Sequence, residues 1–264
     1  MQEIDLLANL DLYSWQVISL LLIAGFLVGF INTIAGSGTV ITYSLFMMLG
    51  LPANIANGTN RIALLMQNIV ATSSFKQLKV FKFKEGIFLT LPAIAGAIPG
   101  ALLASNIDKE FLEKFIGILL IIMFVFILVK PERWLNKSNS TSPKIGILQV
   151  ITFFFIGLYG GFIQAGIGFF LIASLVFVAG SDLIKANALK LFIVLIYNSF
   201  ALGVFIFNGL VDFRFGLIVG VGNMIGAFVG TRVAVRYGPK LARIILMIGL
   251  VFSVLKIFGI VEVF

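Results

Sequence analysis

The stretch GFLVGFINTIAG (25–36) returns as GLYGGFIQAGIG (157–168), and this recurrence decides how the chain is built. Each is a Gly-rich apolar run with a single side-chain amide, Asn32 or Gln164, and each leads into a closely spaced glycine pair, GSG at 36–38 or GIG at 166–168. A short apolar piece follows in both cases. Glycine lets a helix break and exposes the first N–H groups of the half-helix that follows, so the pattern predicts paired discontinuous membrane helices.

Outward from these runs the correspondence continues at an offset of about 130 residues, which marks a duplicated unit. Asn57 in ANGTN falls on Asn187 in ANALK, Asn68 in QN falls on Asn198 in YN, and Gly86 falls on Gly216. GAIPGALLA (96–104) likewise corresponds to GAFVGTRVA (226–234). Small residues spaced by four in those last segments, Gly96 and Gly100, Gly226 and Gly230, predict close helix packing.

Composition sets the solvent. Of 264 residues, 60% are apolar and 11% charged, and mean hydropathy is +1.13. A water-soluble domain keeps roughly a quarter of its residues charged, so the chain belongs in a bilayer. It has no Cys and no His, which removes disulfides, Cys/His zinc sites, haem histidine and Ser-His or Cys-His nucleophiles. No cofactor is expected. The net charge of +8 is read as cation retained on cytoplasmic loops, with no nucleic-acid partner implied.

Dividing the chain at charges, Pro and Gly gives ten hydrophobic pieces: 15–35, 39–51, 60–76, 86–105, 112–129, 145–167, 169–180, 189–207, 215–231 and 243–260. The pieces at 39–51 and 169–180 fall short of the roughly 20 residues of a spanning helix and are expected to be short or broken. The N-terminus, MQEIDLLANLDLY, has no Lys or Arg, so the first piece is read as a retained helix rather than a cleaved signal. The hydrophilic stretch 130–144 (KPERWLNKSNSTSPK) separates a first membrane repeat, 1–129, from a second, 145–264, as a cytoplasmic linker.

Equivalent loops carry unequal charge. Loop 76–84 holds four Lys, whereas its counterpart near 208–214 has Asp212 and Arg214; one loop later the basic cluster is Arg232, Arg236, Lys240 and Arg243 against Asp108, Lys109 and Glu110. Under the positive-inside rule, equivalent loops lie on opposite sides, which predicts inverted repeats. The expectation is therefore an all-α integral membrane protein, a polytopic bundle of two inverted five-segment repeats. Ten crossings place all three basic loops on one side, and eight rank second.

Candidate binding residues gather at the breaks and at the polar runs that open the third and eighth pieces. Ser37 and Thr39 put hydroxyls beside the first break, where a helix N-terminus suits a small anion. Asn57, Thr59, Asn60 and Arg61, then Asn187 and Lys190, place amides and cations in apolar surroundings that tolerate them only against protein, water or substrate. Arg61 carries the most weight, since no acid occurs between Asp11 and Glu85; Arg61→Ala is expected to abolish anion uptake without unfolding the chain. Deeper amides, Gln67, Asn68, Asn198, Asn32, Gln164 and Asn223, predict a polar cavity. All eleven acids lie near termini or loops, which argues against a carboxylate proton relay. A coupled proton would ride on the substrate, or use Lys190, Tyr43, Tyr159 or Tyr197.

The ordered set of AGSG, a short apolar piece, ANGTN, GGFIQAGIG and ANALK resembles the TauE/SafE family of sulfite exporters over nearly the whole chain. One departure is GSGT (36–39), where members often have a Gly-Gly pair. The resemblance implies a multi-pass carrier for sulfite, organosulfonates or related small anions in a bacterial inner membrane. The expected substrate residues are Ser37, Thr39, Asn57, Thr59, Asn60, Arg61, Asn68, Gln164, Asn187, Lys190 and Asn198, working by alternating access between the repeats. An anion channel and a non-transport membrane scaffold are the alternatives; an intramembrane enzyme lacks the residues for a reaction. The expected partners are a small anion and the lipid bilayer, with a second copy of the chain left open.

Overall fold

The computed structural model describes residues 14–34, 36, 38–80, 83–104, 146–164 and 166–257. The expected segment at 112–129, the linker at 130–144 and Ser37 lie outside the described residues. Among the described residues are eight helices in chain order: α1 (Trp15–Ile34), α2 (Thr39–Met48), α3 (Ala53–Gln77), α4 (Phe83–Leu103), α5 (Ile147–Phe162), α6 (Ile167–Phe177), α7 (Leu183–Phe207) and α8 (Phe213–Ile257). No strand occurs among the described residues. The backbone of α8 departs from helical geometry at Gly238, with φ of 74°, so two helices meet there.

Length and apolarity suit α1, α7, Gly86–Leu103 of α4 and Phe213–Gly238 of α8 to crossing a membrane. The bundle is inside-out relative to a soluble protein. Trp15, Phe88, Leu91, Phe155 and Ile225 are exposed, while Asn57, Asn60, Arg61, Gln67, Asn68, Asn187, Lys190 and Asn198 are buried. Lipid accepts the apolar exterior without cost, and polar groups that lipid would penalise turn inward.

The short helices follow the predicted breaks. α2 has 10 residues and α6 has 11, and each begins beyond a glycine of positive φ, Gly36 at 85° and Gly166 at 73°. That backbone region costs an L-residue side-chain clash and costs glycine nothing. α6 is apolar all round, yet Phe169, Leu171, Ile172 and Leu175 are fully buried, so protein rather than lipid covers it.

Two boundaries differ from expectation. α3 starts at Ala53 and α7 at Leu183, so ANGTN and ANALK, expected at the mouths of their helices, are helical and sit inside them. Buried polar residues lower local hydropathy as a loop would, and hydropathy alone does not separate the two. α7 gains its start from Asp182, whose carboxylate accepts from Lys185 N at 3.0 Å.

Glycine governs the tightest packing. A Cβ added at Gly222 would meet Leu22 O at 2.3 Å, at Gly226 Phe26 O at 2.0 Å, and at Gly230 Phe30 O at 3.1 Å. Residue numbers rise together, so α1 and α8 run parallel in close backbone contact. α4 and α5 do the same: Gly96 approaches Phe154 O at 2.0 Å, Gly100 approaches Leu158 O at 2.0 Å, and Gly157 and Gly161 approach Ala93 O and Ala97 O. Helix packing in lipid relies on such small-residue contacts.

By the repeat alignment, α1 to α4 correspond to α5 to α8. The first helix of each half therefore packs on the fourth helix of the other, α1 on α8 and α5 on α4. α3 packs on α8, and correspondingly α7 on α4. The two equivalent helices α3 and α7 meet antiparallel, since Gly58 lies against Phe205, Arg61 against Asn198, and Leu64 and Asn68 share a cavity wall with Val194 and Lys190.

Candidate functional site

Because α1 stops at Ile34 and α5 at Phe162, each leaves its last carbonyls without a helical donor deep in the protein. The other half supplies the donors. Asn187 Nδ2 donates to Thr33 O at 2.6 Å and Lys190 Nζ to Asn32 O at 2.8 Å, both from α7 onto α1. From α3 onto α5, Asn57 Nδ2 donates to Phe162 O at 2.9 Å, while Arg61 donates to Gly160 O at 3.3 Å and Gly161 O at 2.5 Å. Cations at helix C-termini also meet the negative end of the macrodipole. Asn57 and Asn187, aligned in the sequence, thus perform the same task reciprocally.

The two cations differ in how far they are satisfied. Arg61 is fully buried and donates as well to Asn198 Oδ1 at 3.3 Å and Asn57 Oδ1 at 3.5 Å, with its guanidinium carbon 4.5 Å above the Phe205 ring. Asn198 Nδ2 donates back to Arg61 O at 3.0 Å, and Gln164 Nε2 donates to Asn198 Oδ1. Lys190, also buried, has Asn32 O as its one acceptor among the described residues, although an ammonium carries three donors. The acids with described side chains, Asp182 and Asp212, cap α7 and α8: Asp212 accepts from Arg214 N at 2.9 Å and Phe215 N at 3.1 Å.

Beside Lys190 lies a small cavity of about 10 Å³, room for about one water. Its polar wall is Asn32, Thr39, Asn68 and Lys190, and Leu64, Ile167, Leu191 and Val194 close it with Gly168. Neither end of the Asn68 amide has a hydrogen-bond partner among the described residues, while the Asn32 amide donates to Gln67 Oε1 at 3.2 Å and Thr39 Oγ1 to Gln164 O at 3.5 Å. Ile167 and Gly168 belong to the first turn of α6, where Ile167 N donates to Gln164 O at 3.3 Å and Phe169 N to Gly166 O at 3.0 Å. The two breaks touch here: a Cβ at Gly36 would lie 2.5 Å from Gly168 Cα and 3.4 Å from Lys190 Nζ.

The sequence-predicted residues separate into groups. Thr39, Asn68 and Lys190 share the cavity wall. Asn57, Arg61, Gln164 and Asn198 form one hydrogen-bonded cluster at the α5 break, and Asn187 holds the α1 break. Thr59 and Asn60 stand apart: Thr59 Oγ1 accepts from Asp212 N at 2.9 Å, and Asn60 Oδ1 accepts from Thr42 Oγ1 at 2.7 Å. Omitted from that set was Asn32, whose carbonyl takes Lys190; its alignment with Gln164 was the available signal.

Buried cations and amides around two helix breaks, inside an apolar-faced helical bundle, are the construction of a membrane transporter. The chain belongs to the family described as Sulfite exporter TauE/SafE, which it matches over residues 21–257. A probable membrane transporter protein of Sinorhizobium sp. is 32% identical over 236 residues, covering 89% of this chain and 90% of its own. The probable membrane transporter protein YfcA of Escherichia coli (strain K12) is 29% identical over 242 residues, 91% of this chain and 89% of its own. One from Haemophilus influenzae is 24% identical over 228 residues, 86% of this chain and 89% of its own. No solved structure matches the chain. It is a multi-pass membrane transporter.

Proposed function

We propose that the chain is a secondary carrier of small anions, of the sulfite or organosulfonate kind, in a bacterial inner membrane, and that the anion binds beside Lys190. The observation that carries this reading is a cavity lined both by the buried Lys190, whose ammonium bonds Asn32 O, and by Asn68, whose amide has neither end paired among the described residues. Lys190 balances the charge, while Asn68 and Thr39 replace the anion's water. A cavity sized for about one water is an occluded form, and it must widen to admit a substrate.

The two halves are inverted repeats that rock about this site. Supporting this are the antiparallel run of the equivalent helices α3 and α7, the exchange of packing partners between halves, and the unequal loop charges. α3 and α8 run parallel, with Gly216 beside Ile62 and Gly220 beside Met66. That brings Lys76 and Lys79 to the same face as Arg232 and Arg236, the face we assign to the cytoplasm. The parallel run of α4 and α5 fits the ten-crossing count expected from the sequence, which has one apolar piece, 112–129, between them.

Sulfite uptake into proteoliposomes tests the proposal. Lys190→Gln is expected to abolish it, and undiminished uptake by a folded variant would remove the cavity from the transport path.

A further inference from the structure

The cavity wall offers more than positive charge. Lys190 brings the one charge on that wall, and its donors call for an oxygen acceptor. Asn68, 1% exposed, presents both a free donor and a free acceptor. Whichever way the amide is turned, one end seeks an acceptor and the other a donor. A ligand made only of acceptors, such as the sulfite or sulfate dianion or a sulfonate head, leaves Asn68 Oδ1 against a lone pair. A dianion also leaves one charge uncompensated in a site with one cation and no acid.

On the reading that the chain carries a small anion, we propose that this site selects a monoanion bearing its own hydroxyl, such as hydrogensulfite or hydrogencarbonate. The charged oxygen binds Lys190 Nζ, and the hydroxyl donates to Asn68 Oδ1. The proton then crosses on the substrate, which couples anion and proton movement in an interior whose polar groups include no described carboxylate. Asn68 becomes the specificity residue and Lys190 the charge partner.

Two probes separate this inference from the broader reading. Methanesulfinate is hydrogensulfite with a methyl in place of the hydroxyl, and at mildly acidic pH both are monoanions. Calorimetric titration of the purified full chain is expected to show hydrogensulfite binding about ten- to a hundredfold more tightly, the cost of leaving a buried acceptor unpaired. Equal affinities overturn the hydroxyl requirement and leave the anion site standing; absence of binding by either removes both. In Asn68→Leu, hydrogensulfite is expected to weaken to the level of methanesulfinate. A preference that survives this change overturns the role of Asn68, and if the variant does not fold, the wild-type pair decides alone.

Discussion

Arg61 and Lys190 look alike in the sequence, each a cation among apolar and amide residues inside a helix, and their acceptors tell them apart. Arg61 holds two carbonyls at the end of α5 and two amides, and it packs on Phe205. Its removal orphans those buried acceptors, so Arg61→Ala is expected to destabilise the protein by about 2–5 kcal/mol, read as a fall in melting temperature in detergent. An unchanged melting temperature would return Arg61 to a purely substrate-binding role. This reverses the expectation of an intact fold. The sequence exposed both cations because a charge among apolar residues is conspicuous. It hid their partners, because those are main-chain carbonyls of the other half, and no residue type marks a carbonyl.

Elements were legible where glycine and hydropathy agreed. The breaks at 36 and 166, the short α2 and α6, and the close packing at Gly96, Gly100, Gly226 and Gly230 were all readable, because only glycine permits positive φ or near backbone contact without penalty. The starts of α3 and α7 were not, since amides buried between helices resemble a loop in hydropathy. Gly226 gives the sharpest test of an element contact. A Cβ there would lie 2.0 Å from Phe26 O, so Gly226→Leu must force α1 and α8 apart. Loss of folded, monodisperse protein is expected, whereas the same change at Gly203, which has nothing within 4 Å, leaves the yield unchanged.

At the scale of the molecule, the crossing of the halves makes each a support for the other: α7 caps α1, α3 caps α5, and the breaks touch at Gly36 and Gly168. The correspondence of motifs at an offset of about 130 residues is legible in the sequence, whereas the reciprocal capping is not, because it depends on which half packs against which. The absence of cysteine makes topology directly measurable. Lys79→Cys and Asn208→Cys follow equivalent helices, and inverted repeats predict labelling by an impermeant thiol reagent from opposite sides of the membrane. Labelling from one side would indicate parallel repeats. The central claim, that a small anion is carried through the cavity beside Lys190, is tested most directly by counterflow of labelled sulfite in proteoliposomes. The account predicts saturable uptake accelerated by sulfite on the far side and lost in folded Lys190→Gln; uptake that neither saturates nor depends on Lys190 would contradict it.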